Sequence, residues 1–331
     1  MKAAQIKKYK KDISLDIVSV DKPVINDNQV LVKTLTAGVN PVDNMIIRGE
    51  VKLVVPYKMP LTLGNELVGE IVELGSNVKN FNIGDRIFSR LPLNSIGAFA
   101  EYVAIDVDAI AKVPEYLSDE EAAGVPLTAL TAMQAFELLN VKEGKTIFIS
   151  GGSGSFGAMA IPLAKSLGLK VITSGSGANK ERVLLLGADK YIDYKKENYL
   201  DIVSDVDYVI DTLGGKSLED QFSILKKGGS LVSLKGLPNK DFAKRNNMSF
   251  FKRLLFGFAG RKYDKIASRN NQKYYFIFVH SDGKQLDEVA SIFNEKHIKP
   301  SIDEVFSFED INKALNKVDN GSSKGKTIIK F

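Results

Sequence analysis

The pattern of hydrophobic and polar residues divides the chain into three stretches. Through residues 1–115, short β-type runs are punctuated by glycine, proline and asparagine, which predicts a compact, partly open β-barrel. From Thr146 onward, strands alternate with helices, and this alternation predicts a doubly wound parallel sheet. From residue 283 the pattern is mixed again, and we expect this last stretch to rejoin the N-terminal domain. The fold class is therefore α/β.

The individual elements follow from these periods. In the first stretch, the predicted strands are Lys2–Ile6, Ile13–Val20, Gln29–Ala37, Leu67–Leu74, Arg86–Ser89, Glu101–Ile105 and Ala109–Lys112. A capping box at 118–121 opens a short helix, and a second helix is predicted over Leu127–Leu139. Further strands are predicted at 146–150, 170–174, 190–193, 206–211, 230–234 and 274–279, with helices at 156–167, 179–186 and 216–226. We assign 1–117 and 283–331 to one domain and 118–282 to the other.

One strand, turn and helix carry a glycine motif with a chemical meaning. Thr146–Ser150 has the composition of a buried strand, and an apolar helical run over Ala158–Leu167 follows it. Between them, Gly152, Gly154 and Gly157 form G-x-G-x-x-G. In this motif the first glycine permits the turn, the second lets a pyrophosphate approach, and the third lets helix and strand pack. The sequence predicts a dinucleotide site at the start of the helix, with a plain structural loop as the alternative.

Composition limits the remaining possibilities. The chain has 331 residues and no cysteine, which predicts two domains and excludes disulfides and thiolate-bound zinc. No run approaches the ~18 apolar residues of a membrane span. Since the charged N-terminus lacks the apolar core of a signal peptide, we expect a cytoplasmic protein.

Positive charge is concentrated in residues 240–273. This basic segment holds ten Lys or Arg against two Asp, whereas the net charge of the whole chain is only +5. Aromatic residues and leucines are interleaved with the cations. Four interpretations remain open: a lining of the substrate site or a contact with a partner subunit, an anionic membrane surface, a nucleic acid, or a solvated face. The lack of a recognisable nucleic-acid module argues against the third.

Several motifs together resemble the medium-chain dehydrogenase/reductase superfamily, in its zinc-free, quinone-oxidoreductase-like branch. They are AGVNPVDNMIIRG (37–49), LGNELVGEIVELGSNVKNFNIGDRIF (63–88), GAFAEYVAI (97–105), PLTALTAMQAF (126–136), SGGSGSFG (150–157) and LLGADKYIDY (185–194). The resemblance implies a GroES-like catalytic domain, an inserted Rossmann domain and an active site in the cleft between them. By family analogy it also implies a homodimer.

The resemblance also bears on zinc. Zinc-dependent members of the superfamily bind the metal with a Gly-His-Glu motif and cysteines, whereas this chain has Gly64-Asn65-Glu66 and no cysteine. His280 and His297 lack carboxylates at ligand spacing and are interpreted as ordinary core or surface histidines. We therefore expect no catalytic metal.

The cofactor prediction is NADPH. An NAD-specific site has Asp or Glu about 20 residues beyond the glycines, whereas this chain has hydroxyls at 173–176, followed by Lys180 and Arg182. The hydroxyls and cations suit a 2′-phosphate, although either cation could be a solvated helix residue. The resemblance matches Lys180 and Tyr194 to phosphate-binding positions. The predicted cofactor-binding residues are Thr131, Gly152, Ser153, Gly154, Ser155, Phe156, Gly157, Ser174, Ser176, Lys180, Tyr194, Leu234 and Gly236.

The resemblance points to Asn40 and Asp43 as catalytic residues. Asn40 would hydrogen-bond a substrate carbonyl and stabilise an enolate-like charge, whereas Asp43 is expected to orient the loop backbone. Two tyrosines frequent in relatives are replaced here by Met45 and Val51. Tyr57, in a slightly longer loop, is the residue that can compensate, and the proton donor is left open among Tyr57, water and a ribose hydroxyl.

These residues predict a zinc-independent, NADPH-dependent oxidoreductase that transfers hydride to a quinone or an α,β-unsaturated carbonyl. Two alternatives stand beside it. The first is a non-catalytic, crystallin-like NADPH-binding protein, which the missing tyrosines favour. The second is a membrane or nucleic-acid binder that uses the basic segment.

Overall fold

A computed structural model describes residues 1–321 and 325–331. The strands are β1 (Lys2–Ile6), β2 (Asp16–Ser19), β3 (Gln29–Val39), β4 (Leu61–Thr62), β5 (Glu66–Leu74), β6 (Arg86–Arg90), β7 (Tyr102–Asp106), β8 (Ile110–Lys112), β9 (Thr146–Ile149), β10 (Lys170–Gly175), β11 (Lys190–Asp193), β12 (Val206–Asp211), β13 (Leu225–Ser233), β14 (Lys273–Phe276), β15 (Ile302–Ser307) and β16 (Lys326–Lys330). The α-helices are α1 (Pro41–Arg48), α2 (Asp119–Ala123), α3 (Pro126–Leu139), α4 (Ser155–Ser166), α5 (Lys180–Leu185), α6 (Tyr199–Ile202), α7 (Gly215–Ile224), α8 (Lys240–Arg245), α9 (Phe250–Ala259), α10 (Arg261–Ser268), α11 (Gly283–Lys296) and α12 (Ile311–Asp319).

The first of two compact units comprises Met1–Leu130 and His280–Phe331. Its larger sheet has the order β15-β16-β3-β5-β6-β8, with β7 also paired to β3, and a smaller sheet has the order β2-β1-β4. Strand β3 is central because it pairs antiparallel with β5, β7 and β16. In the β16 pairing, Thr327 lies opposite Val39, so the C-terminal strand is next to the segment that leads into α1.

The second unit, Thr131–Val279, contains the predicted doubly wound sheet. Its strand order is β11-β10-β9-β12-β13-β14, and every pairing is parallel. The strand β9 lies between β10 and β12, so the chain order reverses beside it. Apolar residues such as Phe148, Val209 and Leu231 fill the core of this unit. The α/β fold class is confirmed.

The structure differs from the sequence prediction mainly in short helices. Helices α1, α6, α8, α9 and α10 were not predicted. For α8, α9 and α10 the reason is that the basic segment mixes aromatic residues with cations and shows no simple period. The predicted domain boundary after residue 117 precedes α2, whereas the first compact unit continues to Leu130 because α2 packs on β3 and β5. Among the described residues, no helix is long and apolar enough to cross a bilayer.

Candidate active site

The glycine turn joins β9 to α4 as the sequence predicts. Gly154 is the N-cap residue, so the first N–H groups of α4 have no intrahelical acceptor and point toward the turn. The residue with left-handed backbone geometry is Gly151 (φ +68°), not Gly152. Gly152 is instead restricted by side-chain packing, because a Cβ there would lie 2.9 Å from the Cβ of Thr173. Gly151, and not Gly152, is therefore the glycine whose backbone conformation permits the turn.

The other two motif glycines differ sharply in the space around them. A Cβ on Gly157 would lie 2.5 Å from the carbonyl carbon of Gly152, so helix α4 can sit this close to the turn only with glycine. A Cβ on Gly154 would have its nearest neighbour, the Gly151 carbonyl oxygen, at 3.4 Å. The protein itself thus leaves room beside Gly154, which is the position expected to face a pyrophosphate.

The residues beyond β10 surround the position expected for a 2′-phosphate. Ser174 is buried at the end of β10, Ser176 follows it, and Lys180 is exposed at the start of α5. Arg182 is tied to the glycine turn, because its Nη2 donates a 2.6 Å hydrogen bond to the carbonyl of Ser153. Of the two predicted cations, Lys180 alone makes no ion pair or side-chain hydrogen bond with the described residues.

A carboxylate that the sequence analysis missed also lies here. Parallel pairing of β10 and β11 sets Asp193 beside Gly175, and a Cβ on Gly177 would lie 2.9 Å from the Asp193 carboxyl carbon. Asp193 lies at the end of β11, outside the loop after β10 in which a ribose-binding carboxylate is expected from the spacing. Asp193 therefore weakens the sequence argument for a purely cationic and hydroxylic phosphate site.

The remaining predicted cofactor residues all belong to the second unit. Tyr194 is 60% exposed after β11, and Leu234 donates its backbone N–H to the Asp211 carbonyl after β13. Gly236 is closely packed, since a Cβ there would lie 3.0 Å from the Oγ of Ser233. The other positions lie in helix α3, in the glycine turn and at the start of α4: Thr131, Ser153, Ser155 and Phe156. Their contacts with a cofactor stay a prediction.

In the first unit, five polar side chains form a buried cluster: Asn40, Asp43, Asn65, Glu66 and Lys326. None is more than 4% exposed. They come from distant parts of the chain, namely the β3–α1 junction, the start of β5 and the start of β16. Gly38 leaves space for this cluster, because a Cβ there would lie 2.8 Å from the carboxyl carbon of Glu66.

The ion pair between Glu66 and Lys326 is the centre of the buried cluster. The Lys326 Nζ also donates to the Oδ1 of Asn40 at 2.6 Å. The second oxygen of Glu66 accepts the backbone N–H of Leu127 at 2.7 Å, in the first turn of α3. Both oxygens of the buried carboxylate are therefore satisfied, as burial of a charge requires.

Asn40 and Asp43 are fully engaged within the protein. The amide of Asn40 donates to the Glu66 Oε1 at 2.8 Å, and its backbone N–H donates to Asp43 Oδ2 at 2.8 Å. The other oxygen of Asp43 accepts the Asn65 amide at 2.7 Å. The orienting role predicted for Asp43 agrees with these contacts. For Asn40, the contacts favour a positioning role, and its hydrogen bond to a substrate carbonyl stays a prediction.

Arg90 is a buried cation next to the cluster. It lies opposite Glu66 in the β5–β6 pairing and is 1% exposed. Its Nη1 donates to the carbonyl of Leu91, but its Nε has no partner, and no carboxylate among the described residues lies within 4.0 Å. Burial lowers the pKa of Arg90 to about 10, which still leaves it charged at neutral pH.

Tyr57 lines a cavity of ≈ 590 Å³, and its hydroxyl is buried. The other lining residues are mostly apolar: Val54, Val55, Pro56, Lys58, Leu61, Leu93 and Asn94. The hydroxyl makes no hydrogen bond with the described residues. Burial raises the pKa of Tyr57 to about 12, while the charge of Arg90 lowers it and that of Asp43 raises it. The phenol is therefore protonated at neutral pH and has a proton to donate.

Asp43 should make stability depend on pH. Burial raises its pKa to about 7, against 3.8 for the unperturbed group, although hydrogen bonds from Asn65 and Asn40 lower it. A raised folded-state pKa means that the contribution of Asp43 is fully present below pH 3.8 and is lost as the pH rises to about 7. We expect this loss to reach about 4 kcal/mol. In Asp43→Asn, the decline should be absent from denaturant unfolding curves recorded between these pH values.

The two proteins are compared by the slope of the free energy of unfolding against pH. The absolute values are not compared, because the substitution also changes hydrogen bonds by an amount that does not vary with pH. A wild-type protein and a variant with the same slope over this pH range would contradict the raised pKa.

No residues are arranged to bind a metal ion in the part of the chain that the structure describes, where no group of three or more His, Cys, Asp or Glu has suitable positions. At the Gly64-Asn65-Glu66 motif, the cation beside the carboxylate is the Lys326 ammonium. His297 stacks on Tyr116 with ring centroids 5.2 Å apart. Zinc independence stays a prediction, and the contact with Lys326 supports it.

Two family models match the chain. Residues 26–115 match the alcohol dehydrogenase GroES-like domain, and residues 186–329 match a model described as zinc-binding dehydrogenase. The first covers strands of the first unit, including the buried Glu66, and the second spans parts of both units.

Individual relatives agree with these models. The mitochondrial NAD(P)H oxidoreductase RTN4IP1 of Danio rerio is 31% identical over 99% of this chain and 91% of its own length. The 2-methylene-furan-3-one reductase of Solanum lycopersicum is 30% identical over 96% of this chain and 76% of its own length. Among solved structures, the quinone oxidoreductase from Coxiella burnetii superposes with a TM-score of 0.84 at 28% identity, covering 100% of this chain and 99% of the other.

Proposed function

Because the chain belongs to the medium-chain dehydrogenase/reductase superfamily, in its quinone-oxidoreductase-like branch, and is an oxidoreductase with a nicotinamide cofactor, we propose that it reduces quinones or α,β-unsaturated carbonyls with NADPH and without zinc. The observation that carries this proposal is a mostly apolar cavity of ≈ 590 Å³ lined by Tyr57, whose buried hydroxyl has no partner among the described residues. A cavity of this size and character suits a flat, weakly polar ring or enone. NADPH, when bound, supplies the hydride.

The protein's own contribution is proton delivery and positioning. Tyr57 donates a proton to the substrate oxygen that gains negative charge, and its pKa of about 12 keeps that proton available at neutral pH. The positive charge of Arg90 acts on Tyr57 and stabilises the phenolate that remains after transfer. Asn40 and Asp43 hold the β3–α1 junction in a fixed geometry through their contacts with Glu66 and Asn65.

The cofactor assignment rests on the glycine turn and on the side chains beyond β10. The N-terminus of α4 binds the pyrophosphate, and the room beside Gly154 allows its approach. Ser176, Lys180 and Tyr194 bind the 2′-phosphate of NADPH, with Lys180 supplying the charge. Asp193 is near this position and opposes the phosphate, so the preference for NADPH depends on the balance between Lys180 and Asp193.

A non-catalytic NADPH-binding protein is the second candidate. It is favoured by the replacement of two frequent tyrosines by Met45 and Val51, of which Val51 is buried and carries no proton donor. This candidate binds NADPH as the first does but turns over neither substrate class. Turnover measurements therefore separate the two.

The test is oxidation of NADPH and NADH with an ortho-quinone and an enone, offered separately. We expect turnover with NADPH, and Lys180→Ala should lower kcat/KM for NADPH by about 10- to 100-fold while leaving NADH nearly unchanged. Asp193→Asn should instead raise kcat/KM for NADPH relative to that for NADH. Lys227→Ala is the matched control, since it removes an exposed lysine of the same unit near the start of β13.

Three results would oppose the proposal. No turnover of either substrate with tight NADPH binding favours the non-catalytic candidate. A preference for NADH in the wild type, or an equal effect of Lys180→Ala on both cofactors, removes the phosphate-binding role. Loss of turnover on zinc chelation removes the zinc-independent mechanism.

A further inference from the structure

Helix α9 (Phe250–Ala259), within the basic segment, carries a continuous apolar face that lies in solvent. Five large side chains on it are exposed: Phe250 (69%), Phe251 (81%), Leu254 (56%), Leu255 (47%) and Phe258 (78%). With 3.6 residues per turn, these positions fall within about 140° of the helix circumference. Contiguous exposed apolar surfaces of this kind mark interaction sites, whereas single scattered apolar residues do not.

The opposite side of α9 attaches the helix to the second unit. Phe256 is 3% exposed and packs edge-on against Phe242 of α8, with ring centroids 6.1 Å apart. Phe242 in turn contacts Phe276 of β14 at 5.0 Å. The exposed face is therefore held outward by a packed aromatic anchor on the other side of the helix.

Basic residues border this apolar face. On the helix circumference, Lys252 and Arg253 lie on either side of it, about 130° from its centre, and Arg261 begins α10 just beyond its end. In the described part of the chain, these three make no ion pair, whereas neighbouring Arg245 and Lys262 pair with Asp241 and Glu219. The border thus presents uncompensated positive charge next to exposed phenylalanines.

We propose that the apolar face of α9 and its basic border bind the surface of an anionic lipid bilayer. The phenylalanines and leucines enter the boundary between headgroups and acyl chains, where an amphipathic helix lies parallel to the membrane. Lys252, Arg253 and Arg261 extend their cationic ends toward lipid phosphates, since long basic side chains can keep their stems on apolar surface. This inference concerns the second unit alone and is independent of the proposed reductase activity.

Two other occupants fit the observations less well. A second copy of the chain, packed through a two-fold axis, would place this face against itself and bring together two segments that each carry eight surplus positive charges. A nucleic acid would match the charge but would leave the exposed apolar side chains on a polar backbone. An anionic bilayer surface offers phosphates to the basic border and acyl chains to the apolar face.

The test is co-sedimentation of the full chain with lipid vesicles at about 0.15 M salt. Vesicles with about 30% phosphatidylserine should bind at least about tenfold more protein than pure phosphatidylcholine vesicles. The double variant Phe251→Ser with Phe258→Ser should bind these vesicles at least about tenfold more weakly, since it removes the two most exposed apolar side chains of the face. Lys252→Glu with Arg261→Glu should abolish the preference for phosphatidylserine.

Matched controls change the same chemistry elsewhere. Val24→Ser with Leu185→Ser removes two apolar side chains that are 92% and 88% exposed, and Lys8→Glu reverses an exposed charge. These variants should bind vesicles as the wild type does. Thermal unfolding of every variant checks that the fold is retained.

Each of the following results would overturn the proposal: no vesicle binding by the wild type, or equal binding by the phenylalanine variant; a dimer that becomes monomeric in the phenylalanine variant; and oligonucleotide binding that displaces vesicles. A change in KM for a water-soluble quinone without vesicles would instead assign the face to the substrate site.

Discussion

Replacing Lys326 with methionine is expected to lower the free energy of unfolding by about 3–5 kcal/mol. Lys326 neutralises Glu66, and neither side chain has meaningful access to water. The substitution would leave a buried carboxylate with hydrogen bonds from Asn40 and Leu127 but without its ion-pair partner. Removing one partner of such a pair costs far more than the pair contributes, because the remaining charge stays desolvated. Denaturant unfolding followed by circular dichroism measures the change.

Lys330, on the same strand β16, is the matched control. It pairs with Glu120 at 2.7 Å, but its side chain is 61% exposed, so Lys330→Met should change the free energy of unfolding by only about 0–1 kcal/mol. The double variant Glu66→Gln with Lys326→Met should recover much of the lost stability, because no unpaired charge remains. A Lys326→Met protein as stable as Lys330→Met would contradict the buried ion pair.

Gly154→Ala should fold like the wild type but lose NADPH affinity by about 100-fold, which corresponds to about 2.8 kcal/mol. The backbone at Gly154 has φ −83°, which any residue adopts, and the nearest atom to a Cβ would be 3.4 Å away. The protein thus accepts alanine here. If a pyrophosphate lies against this backbone, the added methyl group occupies its place. Fluorescence titration with NADPH, beside thermal unfolding, measures both quantities.

Gly157→Ala provides the contrast. Its Cβ would meet the backbone of Gly152, so this variant should be destabilised whether or not a cofactor binds. The two glycines therefore separate a packing requirement from a ligand requirement within one turn. Wild-type NADPH affinity in Gly154→Ala would mean that the pyrophosphate does not bind at this turn.

The fold was largely predictable because its signals are local. Strand β9, the glycine turn and helix α4 were predicted to within a residue or two, since a buried strand, a glycine motif and an apolar helical run follow one another directly. Helix α9 was missed although its sequence is strongly amphipathic. Its apolar face lies in solvent and not in a core, and cations interrupt the apolar residues along the sequence.

The candidate site was predictable only in part, because its contacts are not local. Asn40 and Asp43 were identified by resemblance, but Lys326 is 286 residues from Asn40, and only the pairing of β16 with β3 brings them together. Asp193 was not predicted as part of the cofactor site for a similar reason. It lies beside Gly177 only because β11 pairs with β10. Along the sequence, Glu66 was seen only as part of a motif that lacks the zinc ligand.

The pairing of β16 with β3 has a consequence for synthesis of the chain. Strand β3 and Glu66 leave the ribosome early, whereas Lys326 emerges only after the entire second unit, Thr131–Val279. Until then, the Glu66 carboxylate lacks the Lys326 ammonium with which it pairs in the folded chain. The second unit is continuous in sequence and can complete its sheet first, so the first unit is the one whose folding must wait for the last strand.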